Sequence, residues 1–287
     1  MRKLLAALFL CAFALAQDEG REVADERPIL FVRWERTAQR GKIYLAAWQA
    51  LEPHHGMPAR LRLKDLDGDE KKAKAFFAEH KDARLVIAVD DASAVAARAA
   101  LPGVPVLSAG VSESATVSAR VGRGRLVKLM RLLHPDVASV GVYKVNYSKR
   151  NLMNPNNALS PARVQELPEL ELFDCAAPNA FWQCDLAWWP EGGESPGSSA
   201  LRAPLVVTAD SLQASAATMT VLPDPESLGR KLAAVALGML RDGKPPPKEP
   251  LTVSRLRVMI DLQAARAISY EVPLAALARA DEVRRAR

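Results

Sequence analysis

Short apolar segments alternate with segments of helical periodicity along most of the chain. Runs such as ILFVRW (29–34), RLVIAVDD (84–91) and VPVLSAG (104–110) are too short for helices and predict buried strands. Residues 37–51 place apolar side chains on one helical face, and ASAVAARAAL (92–101) is typical of a second helix. Repeated strand–helix units of this kind predict an α/β protein with a doubly wound parallel sheet.

The same rhythm begins again after residue 121. A helix is predicted at 124–135, and strands are predicted at 137–145, 185–189 and 203–209. We therefore predict two doubly wound, Rossmann-like lobes joined by a hinge. The first lobe comprises residues 28–112 plus about 222–246, and the second comprises 113–221 plus about 247–287. The proline-rich segment KPPPKEP (244–250) suggests that the chain crosses between the lobes there.

Two helix starts carry capping signals. Asp67 stands three residues before Glu70, which is the spacing of a capping box, so Asp67 is the predicted N-cap. Asp224-Pro225 predicts an N-cap followed by proline at N1. That helix should end at Asp242, where Gly243 can serve as the C′ residue.

The first residues have the order of a secretory signal peptide. Basic Met1–Lys3 is followed by an uncharged apolar run and by the small-x-small motif Ala14-Leu15-Ala16. A membrane-spanning helix needs about 20 apolar residues, and this run is shorter. We expect cleavage after Ala16 and a periplasmic or otherwise exported protein.

Charge and cysteine content limit the function further. The chain has 39 basic and 33 acidic residues, a formal charge of +6. These charges are mixed along most of the chain rather than gathered into the basic stripe of a nucleic-acid-binding protein. Cys175 and Cys184 remain after signal removal, and an oxidising compartment favours a disulfide between them. Their spacing permits the bridge without fixing its geometry, and two buried thiols are the alternative.

Three segments resemble the ABC transporter substrate-binding protein family with the type I periplasmic-binding fold, in its tryptophan- and tyrosine-type group. They are 85–111, 222–246 and 258–283, in the family's order. The last segment is similar to the family's strand, Asn-Leu-x-x-Ala helix, Ile-Pro turn and Ala-Asp-x-Val end. The matching positions there are Leu262, Ala265, Val272, Pro273, Ala280, Asp281 and Val283. The resemblance implies a two-lobed binder of small solutes.

The chain departs from the family at several positions. Asp261 replaces the family's asparagine and Ser269 its glycine, while Asp90-Asp91 stands where small residues are usual. The family's Asp-Pro and Asn-Val-Thr-Gly stretches have no counterpart in residues 111–124. These segments line the ligand cleft in the family, so the resemblance carries the fold further than the ligand.

Open parallel sheets bind ligands beyond the carboxyl ends of their strands. This rule predicts ligand-binding residues in both lobes: Asp90, Asp91, Ser93, Ser108, Gly110 and Ser112 in the first, and Tyr143, Asn146, Trp188, Trp189, Thr208 and Asp210 in the second. One of the two aspartates is expected to cap the following helix and the other to face ligand. Adjacent strand residues point to opposite faces, so at most one tryptophan should reach the cleft; both packing in the core is the alternative.

No enzymatic pattern is present in the sequence. The four histidines show no metal-binding spacing, and the Gly-x-Ser-x-Gly elbow is missing. We expect no catalytic residues, no cofactor and no metal. The predicted function is an exported binder that closes on a small, neutral or cationic, partly apolar solute and presents it to an ABC-type permease. The alternative is a binding-fold sensor or partner-binding module without a transport role.

Overall fold

The computed structural model describes residues 27–54, 60–143, 171–175, 184–189, 203–208 and 217–285. The strands are β1 Ile29–Arg33, β2 Leu61–Asp65, β3 Leu85–Ala88, β4 Val106–Gly110, β5 Val117–Ser118, β6 Ser139–Tyr143, β7 Glu171–Cys175, β8 Leu186–Trp189, β9 Leu205–Val207, β10 Met219–Pro223, β11 Leu251–Thr252, β12 Leu256–Asp261 and β13 Glu282–Arg284. The helices are α1 Ala38–Leu51, α2 Glu70–Glu79, α3 Asp91–Ala100, α4 Arg123–Leu133, α5 Pro225–Asp242, α6 Leu262–Ala267 and α7 Leu274–Arg279. Within this part of the chain, none of the helices combines the length and the apolarity that crossing a membrane requires.

The first lobe is built on a parallel sheet with both faces covered. Its strand order is β11-β5-β4-β3-β1-β2, and every neighbouring pair runs parallel. Ile29 and Phe31 of β1 pack with α1 and α5, whereas Leu30 and Val32 pack with α2 and α3. Successive strand side chains point to opposite faces, which explains why this uninterrupted apolar run is completely buried. The prediction of a doubly wound lobe is confirmed.

The second lobe contains a mostly parallel sheet in the order β13-β12-β10-β9-β8-β6-β7. Only the β10–β12 pair is antiparallel among the pairings in the described residues. Its core joins strand residues such as Val140 and Val206 to Leu126 and Met130 of α4. Neighbouring parallel strands are normally joined by a crossover helix that returns the chain to the same sheet. β12 instead enters this sheet directly from the first lobe, and it runs antiparallel to β10.

The chain passes between the lobes three times within the described residues. It leaves the first sheet after β5, returns from β10 with α5, and leaves again between β11 and β12. β5 and β11 both belong to the first sheet, although the predicted boundaries assign residues 113–121 and 247 onward to the second lobe. Each of these strands has two residues, which is too short to show a hydrophobic period.

Helices α1 and α5 approach each other closely at Gly229. A Cβ atom added at Gly229 would lie 2.8 Å from the Ala47 nitrogen and 2.9 Å from the Ala46 Cβ, and would also clash with the Ile43 carbonyl oxygen. A glycine is therefore needed for the backbones to pack at this separation. This contact fixes α5, which follows a strand of the second lobe, on the first lobe.

The helix starts confirm one capping prediction and correct another. The Asp224 side chain accepts a hydrogen bond from the Ser227 N–H, and Gly243 ends α5 in the left-handed conformation, as predicted. The predicted N-cap Asp67 is wrong, because Asp69 caps α2 by accepting from Lys71 and Lys72 N–H. Asp67 and Gly68 both have positive φ and therefore belong to the turn before α2. The cap consequently lies two residues later than the capping-box spacing predicts.

Candidate functional site

A cavity of about 770 Å³ extends from the carboxyl ends of strands in both sheets along the surface of α2 and α3. The first lobe contributes Asp90 after β3, and Gly110 and Val111 at the end of β4. The second lobe contributes Thr208 after β9 and Pro223 at the end of β10. This is the location that the strand-end rule predicts for a ligand in an open α/β sheet.

Most of the cavity wall is apolar. Small side chains on one face of α3 line it, and Val95 among them is 38% exposed. Phe77 of α2 and Ile43 of α1 add larger apolar groups. Because alanine side chains are small, the alanine-rich face of α3 leaves space for a ligand beside it.

The Asp90 carboxylate is a structural link at the edge of the cavity. Asp90 is 6% exposed, and its side chain caps α3 by accepting the Ser93 N–H at 2.7 Å. Its second oxygen accepts the Trp34 N–H at 2.8 Å, and the Arg40 Nε lies 3.8 Å from the same oxygen. Asp90 therefore joins the start of α3 to the segment that follows β1.

The Asp91 carboxylate reaches across to the loop that follows β4. It accepts hydrogen bonds from the Val111 N–H at 2.7 Å and the Ser112 N–H at 3.1 Å, and from the Ser112 hydroxyl at 2.6 Å. A Cβ on Gly110 would come closer than 3.0 Å to this carboxylate, so the contact requires glycine at that position. The two aspartates thus have different partners, with Asp90 as the cap and Asp91 holding a loop.

Two predicted serines are buried away from the cavity. Ser93 and Ser108 are both 0% exposed. The Ser93 hydroxyl donates to the Asp90 carbonyl oxygen, and the Ser108 N–H donates to the Thr116 hydroxyl at 3.0 Å. Their strand and helix positions turn them toward the layer between β4 and α3 rather than toward the cleft.

In the second lobe, Trp188 packs partly on the core and donates its indole N–H to the Thr208 hydroxyl at 3.1 Å. Thr208 lines the cavity, whereas Trp188 lies behind it. Of Tyr143 and Trp189 only the backbone is described, and the predicted residues Asn146 and Asp210 lie outside the described residues. The described second-lobe wall is therefore formed by Thr208 and by Leu222 and Pro223 of β10.

The predicted cysteine pair is described in part. Cys184 is buried just before β8. Cys175 ends β7, but its side chain lies outside the description. The disulfide between them stays a prediction.

Sequence reasoning missed the contribution of the segment after β1. Trp34, Gln39 and Arg40 all line the cavity. Gln39 donates its side-chain amide to the Pro223 carbonyl oxygen at 3.0 Å and so links the two lobes. The strand-end rule applied to β1 as well as to β3 would have identified Trp34, because it directly follows the strand.

An ion-pair network lies at the ends of β1 and β2, beside this segment. Arg33 binds Asp65 through two nitrogens, one of them at 3.0 Å, and Arg36 lies 2.7 Å from the same carboxylate. The hydrogen bond from Arg33 lowers the pKa of Asp65 below its ordinary value. Arg33 also lies over the ring of Tyr44, whose pKa is raised to about 12 by burial. The network fixes the strand ends from which the cavity segment begins.

No protein-family model and no curated protein sequence matches this chain. Solved structures match it in fold. An ABC domain from Streptococcus pneumoniae in complex with L-Trp superposes with a TM-score of 0.59 at 16% identity, covering 89% of this chain and 99% of that one. A ligand-free, open substrate-binding protein with adhesive properties from Clostridium difficile gives 0.65 at 14% identity, covering 91% and 100%.

A periplasmic ribose ABC transporter protein from Conexibacter woesei is also similar. Its TM-score is 0.53 at 15% identity, and the match covers 85% of this chain and 95% of that one. Likeness at this level of identity shows the fold. The chain has the type I periplasmic-binding fold that the sequence resemblance implies.

Proposed function

We propose that this protein is an exported solute-binding protein that closes its two lobes over a small molecule and presents it to an ABC-type permease. The observation that carries the proposal is the cavity of about 770 Å³, which is lined by the strand ends of both lobes and by α2 and α3. Its volume lies in the range of small-molecule sites, about 300–1,000 Å³. The three crossings between lobes suit a hinge motion. Catalysis forms no part of the proposal.

The proposed solute is neutral or cationic and partly apolar. Asp90, Asp91 and Glu70 line the cavity, against two basic side chains, Arg40 and Lys74. The alanine-rich face of α3 supplies the surface for an apolar group. Trp34 at the cavity wall supplies the aromatic surface in the cleft that was expected of at most one of Trp188 and Trp189.

A binding-fold sensor or partner-binding module is the second candidate. The observation that favours it is the Asp91 carboxylate, which occupies the backbone donors at the end of β4. A protein that had exchanged transport for another role could close off ligand donors in this way. Such a protein would bind no small solute in the cavity.

The test is a thermal-shift screen of the purified protein against amino acids, sugars and amines, followed by calorimetric titration of any solute that stabilises it. Val95→Trp places an indole in the cavity from an exposed position and should abolish solute binding while leaving the melting temperature of the free protein within about 2 °C. The matched control is Leu45→Trp, because Leu45 is an exposed residue on α1 outside the cavity. A solute that bound both variants equally well would show that the cavity is not its site.

Export is tested separately. The proposal expects the secreted protein to begin at Gln17, after removal of the residues up to Ala16. N-terminal sequencing of protein from the exported fraction measures this directly. An intact Met1 in that fraction would contradict cleavage.

A further inference from the structure

The loop after β4 forms a small cradle of hydrogen-bond donors that converge on one carboxylate. Two backbone N–H groups, from Val111 and Ser112, point at one oxygen of Asp91, and the Ser112 hydroxyl donates to the other oxygen. Convergent backbone N–H groups are a recurrent way in which proteins bind anions. Hydrogen bonds to an ionised carboxylate are also the strong kind.

The cradle has the size of a carboxylate and borders the cavity. Gly110 forms its floor, and a side chain there would overlap the Asp91 carboxylate. Asp91, Gly110 and Val111 all line the cavity between the lobes. Space vacated by the Asp91 side chain would therefore be continuous with the cavity.

A second contact holds the cradle in place independently of Asp91. Arg98, two turns further along α3, donates to the Ser114 carbonyl oxygen at 2.9 Å and to the Ser114 hydroxyl at 3.1 Å. The loop is thus attached to α3 at both ends of the helix. Removing the Asp91 side chain leaves the Arg98 attachment intact, so the donors stay close to their present positions.

We propose that Asp91 is a specificity-determining residue that fills, with the chain's own carboxylate, a cradle able to bind an external carboxylate. With Asp91 present, an incoming carboxylate finds the three donors occupied and a like charge beside them. The cleft therefore accepts no carboxylate at this wall, a conclusion that rests on the proposed function. Without the Asp91 side chain, the same wall binds a small carboxylate.

The experiment measures acetate binding by the free protein, so it requires no transported solute. Thermal unfolding of the wild type and of Asp91→Ala is followed at pH 7 in increasing sodium acetate, with sodium chloride at equal ionic strength as reference. Asp91→Ala should melt about 2–4 °C higher in acetate than in chloride once acetate exceeds its Kd about fivefold. The wild type should show no such difference. In Asp91→Ala, acetate should also shift the amide ¹⁵N resonances of Val111 and Ser112 saturably.

Asp69→Ala is the matched control, because it removes the carboxylate that caps α2 without touching the loop after β4. It should lose stability and gain no response to acetate. Asp91→Ser leaves the same space, keeps a residue that tolerates a helix start, and serves if Asp91→Ala does not fold. An acetate response no larger than the chloride response in the folded Asp91 variant would overturn the proposal. An equal response in Asp69→Ala would do the same. Either result leaves solute binding in the main cavity open to its own test.

Discussion

Replacing Asp90 by alanine should destabilise the first lobe more than the loss of an ordinary helix cap. Both carboxylate oxygens accept backbone hydrogen bonds, from Ser93 in α3 and from Trp34 after β1. The side chain is buried, so water does not readily replace it. The substitution therefore frees two elements from each other.

The magnitude follows from these two bonds. Loss of an N-cap side chain costs about 1 kcal/mol. Loss of a hydrogen bond to a charged group costs about 1.5–3 kcal/mol, and here the Trp34 N–H is left without its acceptor. Asp90→Ala should therefore lower the free energy of unfolding by about 2.5–4 kcal/mol.

Two variants separate the contribution of the helix cap from that of the hydrogen bond to the Trp34 N–H. Asp90→Asn keeps one acceptor oxygen for Ser93 but presents an amide nitrogen, which cannot accept, to the Trp34 N–H. It should lose about 1.5–3 kcal/mol. Asp69→Ala removes a cap whose two partners, the Lys71 and Lys72 N–H groups, both lie in the helix it caps, and should lose only about 1 kcal/mol.

Urea denaturation at pH 7 measures the three variants, and amide hydrogen exchange follows the Trp34 N–H. Faster exchange at Trp34 is expected in both Asp90 variants and not in Asp69→Ala. If Asp90→Ala and Asp69→Ala lost the same stability within about 0.5 kcal/mol, the link from Asp90 to Trp34 would contribute nothing, and the reasoning would be refuted.

Further predictions concern packing and pH. Gly229→Ala should lower the free energy of unfolding by about 2–3 kcal/mol, because α1 and α5 must separate to make room for the methyl group. Gly238→Ala on the same helix introduces no clash and should be neutral or stabilise the protein by up to about 1 kcal/mol. Thermal denaturation measures both variants, and equal effects would contradict the close approach of the helices. The pKa of Asp65 is lowered by Arg33, so the stability from this pair is present above the ordinary value of 3.8 and is lost as the pH falls below it. Asp65→Asn should flatten the acid-side loss of stability in urea titrations between pH 5 and 3. Asp242→Asn removes an exposed ion pair with Lys244, which solvent screens, and should flatten that loss much less.

The fold was predictable because each lobe repeats a strand–helix unit with clear hydrophobic periods. The buried run of β1 and the capping residues of α5 are local signals that agree with the tertiary structure. β5 and β11 gave no signal, because a pairing of two residues each depends on where distant segments meet. The cap at Asp69 depended on two residues with positive φ, which residue spacing does not reveal.

The sequence predicted several of the residues that lie at the candidate site, but not which groups their side chains bind. The strand-end rule located Asp90, Asp91, Gly110 and Thr208 at the cavity wall. It could not decide which aspartate caps α3, because that depends on a single residue of strand length. It also could not foresee that the other carboxylate would be bound by the loop after β4, since that contact joins segments 20 residues apart.

The central claim is that the lobes close over a solute in the cavity. Small-angle X-ray scattering of the purified protein, free and saturated with a solute from the screen, measures this most directly. We predict a smaller radius of gyration with solute, and no change when the same solute is added to Val95→Trp. A solute that binds in the cavity while the radius of gyration stays constant would contradict closure.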